Sequence, residues 1–99
     1  MIERLTMASL SEQLHTKFRL AVEAGQVIEV ELVEVQAEGD VAGQTERFSA
    51  VFRSALDTFL QQRTYAFEHE ALGSFELFIV PIRKNDAGFY YEAVFNRVK

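Results

Sequence analysis

Two histidines and several glutamates are the side chains in this sequence best suited to acid–base or metal chemistry. His69 stands between Glu68 and Glu70, and a neighbouring carboxylate can orient an imidazole for catalysis or metal binding. Adjacent residues of a strand point to opposite faces, however, so neither glutamate shares the side of His69. The favoured interpretation is a half-buried structural histidine at a strand end. A hydrolase or isomerase that uses His69 is the minor alternative.

The remaining polar residues favour structural roles over binding roles. His15 closes a predicted helix, where the helix dipole favours a cation, so capping is preferred to a ligand role. Glu29, Glu31 and Glu34 are typical of a solvated edge strand whose charges oppose edge pairing, with docking of a basic partner as the alternative. Two histidines make only a weak case for metal, and we predict no metal site.

No recognised catalytic or cofactor motif is present. The sequence contains neither a G-x-S-x-G nucleophile elbow nor a glycine-rich phosphate loop. Asn85, Asp86 and Gly88 resemble part of a cation loop, but the bidentate glutamate that calcium needs is missing, and turn chemistry explains these residues. The sequence therefore predicts no catalytic residue and no cofactor.

Composition narrows the class of protein further. Ninety-nine residues, 48% of them hydrophobic, predict one β-rich domain over residues 1–99. A net charge of −5 without an obvious basic cluster argues against nucleic acid as a partner. The absence of cysteine excludes disulfides and fits the cytoplasm. The first residues lack a signal-peptide pattern and the longest apolar run, Leu77–Ile82, is too short to span a bilayer, so we expect a cytoplasmic protein without membrane contact.

Hydrophobic periodicity predicts one short helix followed by strands. The S-x-x-E pattern at Ser9 predicts a helix over Ser9–His15, and the alternation that follows predicts about six strands, with a loop at Ala37–Gln44. A phase change at Leu32 and Val33 indicates a β-bulge. The fold class we predict is mainly β: a small antiparallel β-barrel or roll of about six strands with one short N-terminal helix.

Two further features set strand pairing. If the second and third strands pair, Glu29 or Glu31 should face Arg47 or Arg53 across the outer surface. Pro81 cannot donate a ladder hydrogen bond, so it should lie at an edge, an end or a bulge of its strand. The ion pair is expected to set register more than stability, and the proline limits how central its strand can be.

The candidate functional surface is predicted from a hairpin that is apolar on both faces. Residues 75–95 read FELFIVPIRKNDAGFYYEAVF, with a turn at their centre. One face of the first arm carries Phe75, Leu77 and Ile79, and the other carries Phe78, Val80 and Ile82. Both faces must be covered. The candidate partner or ligand surface consists of Phe78, Val80, Ile82, Tyr90 and Val94, with His69 as a further candidate.

Several segments, taken together, form a pattern typical of a known family. They are LTMASLSEQLHTKFRL at the start, TY at Thr64, EH at Glu68, ELFIVPI from Glu76 and YEAVFN from Tyr91. Together they make the chain resemble a bacterial domain-of-unknown-function family (six-nine-one-six) of small stand-alone proteins. The shared residues are mostly core and turn residues, so the resemblance implies the fold and transfers no catalytic residue. It also implies an association with phage-tail-collar-like proteins in some bacteria, and hence an accessory role.

Two functional hypotheses follow from these observations. The first is a non-enzymatic protein-interaction or assembly accessory module, in a phage-tail-like context, whose hydrophobic hairpin face meets a protein partner or a second copy of the chain. It predicts an exposed apolar patch centred on Tyr90, Phe78 or Val80. The alternative is a small β-barrel that binds an apolar small molecule, with aromatic rings lining a cavity of at least about 300 Å³.

Overall fold

The computed structural model describes residues 5–39 and 45–98, and the part it describes is mainly β. The elements are α1 (Met7–Ser11), β1 (Lys17–Ala21), a 3-10 turn (Glu23–Gly25), β2 (Val27–Gly39), β3 (Thr45–Ser54), β4 (Arg63–His69), β5 (Gly73–Asn85) and β6 (Gly88–Val98). The predicted loop at Ala37–Gln44 is shorter than expected, because β2 continues to Gly39; its remainder lies outside the described residues.

The six strands form a closed antiparallel barrel in the order β1-β2-β3-β6-β5-β4. Strands β1 to β3 form one meander and β4 to β6 form a second. β4 pairs with β1, and β3 pairs with β6, so each meander closes on the other as in a Greek key. The predicted fold class, a small antiparallel barrel with one short N-terminal helix, is confirmed.

Side-chain alternation places one face of each strand in the barrel interior. β4 and the first half of β5 bury every second residue, as expected for strands with one face turned inward. The interior rings contact one another: the ring of Phe52 lies 5.2 Å from that of Phe18 and 5.3 Å from that of Phe67, which stacks on Phe75 at 5.6 Å. These rings therefore pack against one another in the barrel interior.

The helix begins earlier than the sequence pattern predicted. Thr6 is the N-cap residue, and its side chain accepts a hydrogen bond from Ser9 N at 3.0 Å while Ser9 Oγ accepts one from Thr6 N at 2.9 Å. Ser9 is thus the third helical residue and not the cap, and the predicted range Ser9–His15 is wrong. The helix ends at Ser11. His15 has a φ of 68°, a left-handed backbone conformation that is incompatible with a right-handed helix.

Predicted irregularities in the strands are confirmed. The pairing of β2 with β3 shifts register between Leu32 and Glu34, where the phase change indicated a bulge. A second shift lies between Pro81 and Arg83 of β5, which places the proline beside a bulge.

A buried hydrogen-bond network fastens the segment between β3 and β4 to the barrel. Tyr91 is fully buried, and its Oη accepts a hydrogen bond from Leu60 N at 3.0 Å and lies 3.0 Å from Ser54 Oγ. Ser54 Oγ donates to the Thr58 carbonyl at 2.8 Å. One tyrosine therefore satisfies buried polar groups from two other parts of the chain.

Within residues 5–39 and 45–98, no helix is both long and apolar enough to cross a membrane.

Candidate functional site

The seam between β5 and β6 is paired along only part of its length. Pairing starts at the turn, where Asn85 faces Gly88, and continues to Val80, which faces Glu92. Among the described residues, no pair joins the two strands beyond that point. The barrel is therefore closed at the turn end of this seam, and its two strands separate at the other end.

Both strands remain in the sheet where they separate from each other. Residues 73–79 of β5 are in register with β4, and residues 93–98 of β6 are in register with β3. In a strand, successive residues direct their backbone N–H and C=O groups to alternate sides. Half of the backbone groups in each segment therefore face the opening.

A cleft of about 580 Å³ occupies this opening. Its lining consists of Glu76, Leu77, Phe78 and Val80 from β5 and Glu92, Ala93, Val94, Phe95 and Asn96 from β6. Leu77 and Phe95 belong to the barrel interior, so the cleft reaches between the strands to the edge of the core. The site is an apolar cleft with backbone edges on both sides.

Two exposed apolar side chains stand on the outer side of the cleft. Phe78 is 51% exposed and Val94 is 62% exposed. Val80, which lies on β5 between Phe78 and the bulge, is partly buried. Ile82, 40% exposed, lies at the bulge between Pro81 and Arg83 and outside the cleft lining. Of the residues predicted as a candidate surface, the structure thus brings Phe78, Val80 and Val94 together.

Tyr90 lies at the paired end of the hairpin and is buried, unlike the exposed surface residue that the pattern indicated. The guanidinium of Arg83 stacks 4.3 Å from the centre of its ring, and Asn85 Nδ2 donates to its hydroxyl at 3.2 Å. The hydrogen bond from Asn85 lowers the pKa of Tyr90. Polar neighbours thus cover this ring, and the exposed apolar patch is centred on Phe78 and Val94.

The paired end is also held by close backbone contact. An added Cβ at Gly88 would lie 1.9 Å from the carbonyl oxygen of Ser54 in β3, and the φ of Gly88 is 152°. Only glycine fits this position, because any side chain would collide with the neighbouring strand.

His69 is buried and is not part of the cleft lining. Its Nδ1 accepts hydrogen bonds from the backbone N–H of Ala71 (2.9 Å) and Leu72 (3.2 Å), so Nε2 carries the proton and faces Thr16 Oγ1 at 2.9 Å. The ring packs 4.2 Å from that of Phe18. Burial lowers the pKa of His69. Both ring nitrogens are used in holding the β4–β5 turn and the segment after α1.

His15 and Glu31, one of the predicted acidic row, meet on the outer surface of the barrel. The edge-strand interpretation of that row is wrong, because β2 pairs with β1 on one side and with β3 on the other. Glu31 accepts a hydrogen bond from Arg53 at 2.8 Å, which confirms the predicted cross-strand pair, and lies 3.2 Å from His15 Nδ1. His15 stands beyond the helix end, so the helix-capping role predicted for it is wrong. Within the described part of the chain, no cluster of three or more His, Asp or Glu residues could hold a metal ion.

Comparison with known proteins assigns the chain to a protein family. The model of the family described as Domain of unknown function (DUF6916) matches residues 5–95. The chain belongs to this family. The match covers both meanders of the barrel, and the β5–β6 cleft therefore lies within the DUF6916 domain up to Phe95. No curated protein and no solved structure matches the sequence significantly.

The sequence did not reveal the opening of the seam. Alternation identified the outward apolar residues, and Pro81 indicated a bulge, but residues 73–79 and 93–98 read as ordinary paired strands. Nothing in the sequence distinguishes Glu76 and Glu92 of the cleft lining from other outward glutamates, which are common on protein surfaces. The bulge beside Pro81 was the one available signal that pairing changes there.

Proposed function

We propose that this member of DUF6916 is a non-enzymatic protein-interaction module, in an accessory or assembly role, that binds a protein partner through the β5–β6 cleft. The observation that carries the proposal is the pair of exposed side chains, Phe78 and Val94, beside an apolar cleft of about 580 Å³. Large contiguous exposed apolar patches mark protein interaction sites and ligand-binding grooves. Removal of apolar surface from water is the main favourable contribution to most protein–protein association.

The rest of the molecule supports a binding role over a catalytic one. His69, the residue best suited to chemistry, has both nitrogens bonded within the fold. The net charge of −5 disfavours nucleic acid and anionic membranes as partners, and the proposal places the protein in the cytoplasm.

A photo-crosslinking experiment tests the proposal. Val94 is replaced by benzoylphenylalanine in the full chain, expressed in its native host, and illuminated. We expect an adduct of discrete protein mass, and its identification by mass spectrometry tests the phage-tail-like context. The matched control carries the same group at Leu56, which is 48% exposed but lies between β3 and β4 outside the cleft. Adducts from neither position, or equally from both, would contradict the proposal.

The cleft also suits a second candidate function, binding of an apolar small molecule. Its volume lies within the range of about 300–1,000 Å³ typical of ligand sites, and Leu77 and Phe95 form an apolar floor. Titration with the neutral apolar dye Nile red tests this candidate. Saturable fluorescence that Val94→Lys abolishes and Val27→Lys preserves would support it, whereas unsaturable or absent binding would remove it.

A further inference from the structure

The cleft offers two sheet edges in addition to apolar side chains. If pairing continued beyond Val80 and Glu92 in the same register, Phe78 would face Val94 and Glu76 would face Asn96. None of these pairs forms among the described residues. Backbone donors and acceptors along both segments are thus directed at a space that another main chain could fill.

A free sheet edge is normally protected in proteins by charge, by proline or by covering elements, because it recruits other strands. Here the edge of β5 between Gly73 and Ile79 carries no proline, and Pro81 lies beyond it in the paired region. The only outward charge in that segment is Glu76, since the other outward side chains are Ser74 and Phe78. The edges therefore remain suited to pairing with a strand.

Charge and polarity vary along the cleft in a symmetric way. At its middle, Phe78 and Val94 provide apolar contacts on the outer side. Glu92 lies at the end nearest the paired turn and Glu76 at the opposite end, so each end has one carboxylate. An occupant that matches this surface is apolar at its centre and basic two residues away on either side.

Resting on the proposed function, we infer that the occupant of the cleft is an extended strand of another protein, which pairs with the free edges of β5 and β6 and places basic residues beside Glu76 and Glu92. This is binding by strand addition, in which main-chain hydrogen bonds supply affinity and alternate side chains supply specificity. Outward side chains of the strand meet Phe78 and Val94, and inward ones reach Leu77 and Phe95.

The separated segments are long enough to pair with a short strand. The separated segment of β6, residues 93–98, contains six residues, which corresponds to roughly 20 Å of extended chain. A small apolar molecule would leave the edge N–H and C=O groups unpaired, whereas a strand satisfies them.

A capped synthetic peptide of sequence TKVVVKT is the direct probe. Its central valine matches the level of Phe78 and Val94, and its two lysines match Glu92 and Glu76. We expect saturable binding by calorimetry to the full chain, with NMR amide shifts confined to residues 74–79 and 93–98.

Two altered peptides separate backbone pairing from side-chain contact. N-methylation of alternate residues removes hydrogen-bond donors and keeps the side chains, and we expect at least about a tenfold loss of affinity in one of the two alternating series. The peptide TEVVVET reverses the charges, and we expect about a tenfold loss because attraction at two carboxylates becomes repulsion. Equal affinity of all these peptides would overturn the inference.

Variants of the protein provide the matched control. Val94→Lys places a cation at the apolar centre and should weaken TKVVVKT at least about tenfold, whereas Val27→Lys, at a similarly exposed position (56%) outside the cleft, should leave its affinity unchanged. Both positions are on the surface, so thermal unfolding temperatures should match the native protein. Equal weakening by both variants would overturn the inference.

The outcomes distinguish this inference from the proposed function. If TKVVVKT does not bind while benzoylphenylalanine at position 94 still captures a protein, strand addition is wrong and the interaction role stands. If crosslinking also fails, both are wrong. A dimer in sedimentation equilibrium that Val94→Lys dissociates would mean that a second copy covers the cleft, and it would overturn the inference.

Discussion

The two halves of the β5–β6 hairpin differ in what covers their outward side chains. Near the turn, the outward ring of Tyr90 is covered by Arg83 and bonded to Asn85, and Gly88 lies against the backbone of β3. At the other end, Phe78 and Val94 are exposed and the strands are unpaired among the described residues.

This difference separates residues that hold the fold from residues that are free for binding. Register between β5 and β6 changes at the bulge between Pro81 and Arg83, and pairing ends soon after it, at Val80 and Glu92. Proline supplies no backbone donor, so the ladder is already weakened where the halves meet. Substitutions at the covered end should therefore cost stability, and those at the open end should affect binding alone.

The largest effect is expected for Gly88→Ala at the covered end. The new Cβ would overlap the Ser54 carbonyl, so β3 and β6 must separate, and we expect a loss of about 3 kcal/mol in unfolding free energy measured with urea. Gly25→Ala is the control, because its φ of 75° is also positive but no atom lies within 4 Å of the added Cβ. It should cost only about 1–2 kcal/mol, and equal losses would refute the steric explanation.

Tyr91→Phe should have the next largest effect. It removes the acceptor of the buried Leu60 N–H and a partner of Ser54, which should cost about 1–3 kcal/mol in the same urea experiment. Tyr65→Phe is the matched variant, since its hydroxyl donates to the Gln61 carbonyl on an exposed residue that water can also reach. A loss as large for Tyr65→Phe would show that burial of the network is not what matters.

A smaller, pH-dependent effect is expected from His69. Burial, with a contribution from Arg19, places its folded pKa below the ordinary value of 6.5, although Glu70 acts in the opposite direction. As pH falls, the unfolded state therefore binds a proton at His69 before the folded state does. The contribution of neutral His69 to folding stability is complete above about pH 6.5 and is lost as pH falls toward the folded pKa.

Unfolding free energies at pH 7.5 and 5.5 measure this loss, and His69→Gln should show a smaller difference between the two pH values than the native chain. The remaining titratable groups are the same in both proteins, so their contributions to the pH dependence cancel in the comparison. An unchanged difference in the variant would mean that His69 does not titrate as its surroundings require.

Most of the barrel could be predicted from local pattern. Alternation located the strands, and the phase change at Leu32 located a bulge. Opposite charges predicted that Glu29 or Glu31 faces Arg47 or Arg53, and the structure pairs Glu31 with Arg53. These succeed because side-chain period and cross-strand charge are local consequences of strand geometry. The helix start was misplaced because Thr6 and Ser9 form a capping pair that resembles, in sequence, the S-x-x-E pattern three residues later.

The candidate site was only half predictable. Exposed apolar residues such as Phe78 and Val94 were found because they break the expected alternation of a half-wet strand. The separation of the strands could not be predicted from sequence. Whether β5 and β6 pair depends on how each of them also pairs with its other neighbour, β4 or β3, when the barrel closes. Tyr90 was misread for a related reason: the residues that cover it, Arg83 and Asn85, are outward polar residues whose contacts no periodicity reveals.

The smallest effect on stability is expected at the open end, where Val94→Thr should change unfolding free energy by less than about 0.5 kcal/mol. Val30→Thr makes the same nearly isosteric change at a position only 2% exposed and should cost about 1–3 kcal/mol, because its hydroxyl is buried. Equal losses would mean that Val94 is packed and the two halves of the hairpin do not differ. An exposed valine that the fold does not need, beside a phenylalanine at an unpaired edge, is what the proposed binding role requires.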